Sequence, residues 1–83
     1  GEEFAIMLVQ TSLENAHEVA DRLRQTIEAA PILLDDGQHI QLTISIGVAT
    51  PAYPMETLAT VLQHADEALY RAKHEGRNRV CMA

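Results

Sequence analysis

Two groups of residues, at opposite ends of the chain, have the side chains that phosphate and metal chemistry needs. At the N-terminus, Gly1-Glu2-Glu3-Phe4 sets two adjacent carboxylates after a glycine and directly before an unbroken apolar run, Phe4 to Val9. Carboxylate oxygens suit magnesium, which takes one or two of them and completes its shell with phosphate oxygens and water. In a regular strand neighbouring side chains point to opposite faces, so Glu2 and Glu3 could not share one ion there. In a tight turn before the strand they diverge less. A solvated chain end is the plainer explanation of the same pair. Near the C-terminus, Arg71, Lys73, Arg77 and Arg79 make up four of the six basic residues. Lys73 offers a mobile point charge and Arg77 a forked donor, and two such groups around one helix end could hold a triphosphate tail. Each charge-assisted contact of this kind contributes about 1.5–3 kcal/mol. Cations are also favoured at any helix C-terminus, which would account for the cluster without a ligand.

The remaining candidates are weaker. His17, His39, His64 and His74 fall at no metal-ligand spacing, and with the single cysteine Cys81 they form no zinc motif. They are expected at the surface or its boundary. Ser12, Thr43 and Ser45 lack a paired base, and no glycine-rich phosphate loop is present. Tyr70, beside the apolar face of a helix, is expected to pack rather than react. Cys81, between Val80 and Met82, reads as a small buried hydrophobe with no disulfide partner. The net charge of −6 and pI of about 5.0 argue against non-specific binding to nucleic acid or anionic membranes. Within these residues no signal-peptide pattern and no apolar run long enough to span a bilayer is expected.

These residues need elements to position them. The 83 residues fit one small structural unit. Phe4–Val9 is expected as a strand buried on both faces. Thr11 and Glu14 have capping-box spacing, and Leu13, Ala16, Val19, Ala20, Leu23, Ile27 and Ala30 then trace one face of a helix over about residues 12–30, ended by Pro31. Ile32-Leu33-Leu34 leads into a hairpin turn at Asp35-Asp36-Gly37. Strict alternation from Ile40 to Ala49 predicts one half-buried strand, interrupted at Gly47 by a bulge or a close backbone approach. Pro51-Ala52-Tyr53-Pro54 reads as a loop. A second helix starts at Met55 or Thr57, carries Leu58, Val61, Leu62, Ala65, Ala68, Leu69 and Ala72 on one face, and stops at Gly76. Asn78–Met82 is a last short strand. The order β-α-β-β-α-β predicts an α+β fold, two helices packed on a largely antiparallel sheet.

The motifs resemble a known family. Gly1-Glu2-Glu3-Phe4 is similar to the last four residues of the signature that names the GGDEF, or diguanylate cyclase, domain. Ser45-Ile46-Gly47-Val48-Ala49 resembles its later strand motif. Ala65-Asp66-Glu67-Ala68-Leu69-Tyr70, with Ala72-Lys73 and Gly76-Arg77-Asn78-Arg79-Val80, resembles its last helix and strand. Three such matches in the right order span nearly the whole chain.

The resemblance implies a nucleotide-cyclase-like (palm or ferredoxin-like) domain that condenses two GTP into cyclic di-GMP and releases pyrophosphate, with two domains facing each other as a homodimer. It places Gly1 where the backbone approaches the phosphates. It makes Glu2 a ligand of Mg2+ or Mn2+ and the base for the attacking 3′-hydroxyl, and makes Glu3 a support of the metal site. Lys73 and Arg77 match phosphate-contacting residues, and Asp66 matches a position expected to be structural. Residues 1–83 then correspond to the C-terminal portion of the domain, starting inside the signature turn. Such a portion is expected to be inactive alone, and to associate through its first strand or as a swapped dimer. The implied location is the bacterial cytoplasm, with any membrane anchor in upstream segments. A degenerate module that binds GTP and regulates a neighbouring domain is the alternative.

Overall fold

The computed structural model describes Leu8, residues 11–51 and residues 56–83. Of the expected first strand only Leu8 is among them, so neither that strand nor association through it can be placed. The loop at Ala52, Tyr53 and Pro54 also lies outside the described residues.

The first helix, α1, covers Leu13–Glu28. Its N-cap is Ser12, whose hydroxyl accepts from the Asn15 amide at 3.1 Å, so the cap falls one residue after the expected Thr11. The helix closes as the Ala29 amide donates to the Gln25 carbonyl at 3.0 Å, two residues before Pro31. Strands β1 (Ile32–Leu33) and β2 (His39–Ile40) form the expected antiparallel hairpin, with Ile32 opposite Ile40 and Leu33 opposite His39. Its turn is tied by Leu34 N–H to the Gln38 carbonyl at 2.7 Å, and by the Asp36 carboxylate accepting from the Gln38 amide at 3.0 Å.

Strand β3 (Ile46–Val48), helix α2 (Leu58–His74) and strand β4 (Val80–Met82) form the second unit. β3 and β4 run parallel, pairing Ile46 with Val80, Gly47 with Cys81 and Val48 with Met82. Parallel neighbours need a crossover, and α2 supplies it. The α+β class therefore holds, while the described pairing is one antiparallel and one parallel ladder in separate two-stranded sheets. The single strand expected from Ile40 to Ala49 is divided for the same reason. Ile40 pairs back into the hairpin and Ile46–Val48 pair with β4, so residues 41–45 belong to neither ladder. Gln41 instead donates its side-chain amide to the Glu28 carbonyl at the end of α1, at 3.1 Å.

The packing centre is where α2 crosses β3. Val48, Ala68 and Ala72 are the buried hydrophobic residues among those described. Ala68 and Ala72 stand one turn apart on α2, and small side chains there let the helix sit close to the strand. Gly47 completes the contact. A β-carbon on it would collide with the Ala65 carbonyl oxygen and the Leu69 amide nitrogen, and would lie 2.9 Å from the Leu69 α-carbon. This is the close backbone approach that the interrupted alternation signalled. Tyr70 does not pack as expected. It lies roughly 200° around the helix from Ala68, is 62% exposed, and stacks on His74 with ring centroids 3.8 Å apart. Cys81 is half-buried rather than buried, its thiol 3.9 Å from a Glu75 carboxylate oxygen.

Candidate phosphate-binding site

The C-terminal end of α2 gathers Lys73 and Arg77 at one turn. The Glu75 amide donates to the Arg71 carbonyl at 2.8 Å, and the Arg77 amide reaches back to the Ala72 carbonyl at 2.9 Å. Between them Gly76 takes φ +129°, a conformation open to glycine and strained for other residues. The pattern is a Schellman closure, with Gly76 just past the helix end as its sequence position predicted. Lys73 is half-buried in the last turn and Arg77 is exposed beyond it.

A helix C-terminus carries partial negative charge and by itself repels a phosphate. Arg71 and Lys73 in the last turn offset that charge. Three of the basic residues of this segment, Arg71, Arg77 and Arg79, differ in their contacts. Arg71 donates through Nη2 to the Met82 carbonyl, fastening α2 to β4. Arg79 donates through Nε to the Arg77 carbonyl at 3.1 Å. Arg77 lends its backbone to both neighbouring contacts, while its guanidinium has no hydrogen-bond or ion-pair partner among the described residues.

The turn continues in an unusual backbone. Arg77 has φ +62° and Asn78 φ +46°, two successive residues in the left-handed region. Such positions are uncommon outside glycine, and asparagine tolerates them best. Asn78 is held from three directions. Its amide nitrogen donates to the Ser45 hydroxyl at 3.2 Å, its side-chain oxygen accepts from Arg24 Nη1 at 3.1 Å, and its side-chain nitrogen donates to the Glu28 carboxylate. Arg24 in turn pairs with Asp21 at 2.8 Å and with Glu28 at 3.6 Å. The Arg24 hydrogen bond, more than any other influence, holds the Asp21 carboxyl below its usual range.

Gly1, Glu2 and Glu3 lie outside the described residues, so the structure sets Lys73 and Arg77 on either side of the Gly76 turn but does not relate them to the signature turn. Among the described residues no three His, Cys, Asp or Glu side chains form a metal-binding group. The histidines are half-buried or exposed, with His64 Nδ1 3.4 Å from Glu56. Asp66 is exposed. The sequence did not single out Arg24, Glu28 or Asn78. An asparagine after Gly76 and Arg77 was a signal for a left-handed turn, whereas Arg24 and Glu28 look like solvent-facing helix charges until their partner 50 or more positions away is known.

The family model for "Diguanylate cyclase, GGDEF domain" matches residues 1–79. The chain belongs to the GGDEF family. It is 43% identical over all 83 residues to Diguanylate cyclase A of Treponema denticola, and equally to the uncharacterized protein YhcK of Bacillus subtilis. It spans 22% and 23% of those relatives. It is also similar to a solved structure, the active GGEEF domain of a diguanylate cyclase from Vibrio cholerae. That match has a TM-score of 0.76 and 33% identity, covering 90% of this chain and 46% of the other. As a GGDEF chain it keeps the order of elements expected from its motifs wherever residues are described. No helix among the described residues is long and apolar enough to cross a membrane.

Proposed function

We propose that these 83 residues are the C-terminal portion of a GGDEF domain, starting inside its signature turn, in a longer cytoplasmic diguanylate cyclase. The parent joins two GTP molecules into cyclic di-GMP and releases pyrophosphate. What supports this proposal is the Schellman turn that sets Lys73 in the last turn of α2 and Arg77 just beyond it, in a chain resembling a cyclase domain described as active. Arg77 and Lys73 bind the triphosphate, and the Gly1 backbone approaches it. Glu2 takes the proton as the 3′-hydroxyl oxygen of one GTP attacks the α-phosphorus of the other. The bond to the β-phosphate breaks and pyrophosphate leaves. A second such step between two facing domains closes the ring.

The hard oxygens of Glu2 and Glu3 fit Mg2+ or Mn2+ and would hold it, and the ion supplies charge neutralisation when bound. Phosphoryl transfer depends on positioning and electrostatics more than on covalent chemistry, which is what this residue set offers. In this reading the 83 residues alone form no product, which fits their covering 46% of the solved cyclase chain.

The test is chromatographic detection of product after incubation with GTP and Mg2+. The parent protein makes cyclic di-GMP, its Glu2→Gln variant makes none, and the isolated 83-residue chain makes none. Product from the isolated chain would contradict the assignment. A parent that binds GTP without turnover would establish the regulatory alternative instead.

A further inference from the structure

Arg77 is suspended between two anchors. On one side its amide is bonded to the Ala72 carbonyl of α2 at 2.9 Å. On the other side the next residue, Asn78, is fastened to α1 and to the segment before β3. We propose that Asn78, gripped by Arg24 and Glu28, is the positioning residue that fixes Arg77 for phosphate contact. This rests on Arg77 being a phosphate ligand.

The chemistry of the grip is selective. A carboxamide presents an acceptor and two donors from one planar group, so it can satisfy a guanidinium and a carboxylate together. Asn78 does this, accepting from Arg24 and donating to Glu28. An aspartate would meet Arg24 but face the Glu28 carboxylate with a like charge. An alanine would leave Arg24 and Glu28 only their direct contact at 3.6 Å and would free the turn from both. The Arg24 side chain is only 17% exposed, so its hydrogen bond lies where water competes poorly.

The grip also accounts for the backbone. Two successive left-handed residues, one of them an arginine, are unfavourable unless surrounding contacts hold them. The Asn78 amide on Ser45 and its side chain on α1 supply those contacts. If they were released, Arg77 would relax toward negative φ and its side chain would leave from a different direction. Phosphate affinity therefore depends on α1, an element that supplies no phosphate ligand of its own.

The test is a double-mutant cycle in the parent protein, reading GTP affinity by calorimetry with Mg2+ present and thermal melting alongside. Asn78→Ala weakens GTP binding about tenfold. Asn78→Gly, which keeps left-handed freedom but loses the side chain, also weakens it. In an Arg77→Ala background the Asn78→Ala change has no further effect, because its influence passes through Arg77. If Asn78→Ala does not fold, Arg24→Lys keeps the charge, loses the fork, and enters the same cycle. Equal losses with and without Arg77 would overturn the proposal, as would a lowered melting temperature with unchanged affinity. If Arg77→Ala itself leaves GTP affinity unchanged, the phosphate reading falls and the proposal with it. If Arg77→Ala weakens binding and Asn78→Ala does not, only the positioning role falls.

Discussion

Among the described glycines, Gly47 is the one whose added methyl group would meet backbone. The atoms a β-carbon would strike belong to the α2 backbone at Ala65 and Leu69, which cannot step aside as a side-chain end could. Gly47→Ala must therefore push helix and strand apart over the contact that buries Ala68 and Ala72. The expected cost is about 1–3 kcal/mol, read as a lower urea midpoint of the parent domain. An unchanged midpoint would mean that α2 does not rest on β3 as described. This residue was legible in advance, because glycine inside an alternating strand signals close approach. Tyr70 and Asn78 were not. Tyr70 borders the apolar stripe in sequence, but the buried line narrows to Ala68 and Ala72 and leaves the ring outside. Asn78 has partners on α1 that no local spacing reveals.

Among the elements, both helices were readable to within a residue or two, since caps and three-to-four periodicity are local properties. Thr57 shows this most directly. Its hydroxyl accepts from the Thr60 amide at 3.2 Å, satisfying one of the orphan donors of the first turn of α2. Thr57→Ala should cost about 1 kcal/mol, visible as a lower melting temperature of the parent domain, whereas Thr57→Ser should restore most of it. No change with alanine would show that α2 does not begin there. The strands were less legible. Alternation from Ile40 to Ala49 specifies extended backbone but not its partners, and the partners decide where one strand ends and the next begins. β2 closes locally on β1, whereas β3 waits for β4, which the chain reaches only after α2.

At the scale of the molecule, the parallel β3–α2–β4 unit delivers the end of α2 and the start of β4 to one place, and α1 packs against the same two strands. Lys73 and Arg77 flank the Gly76 turn that joins the two. Their choice as candidate phosphate ligands rests on residue type and family pattern. The network behind them was not legible, because it joins residues from both halves of the chain. The central claim is that these two cations hold the triphosphate of GTP. The most direct measurement is calorimetric titration of the parent protein with GTP and with guanosine, before and after Lys73→Ala and Arg77→Ala. Each substitution should weaken GTP binding by about ten- to a hundredfold and leave guanosine binding as it was. Unchanged GTP affinity, or equal losses for GTP and guanosine, would contradict the account.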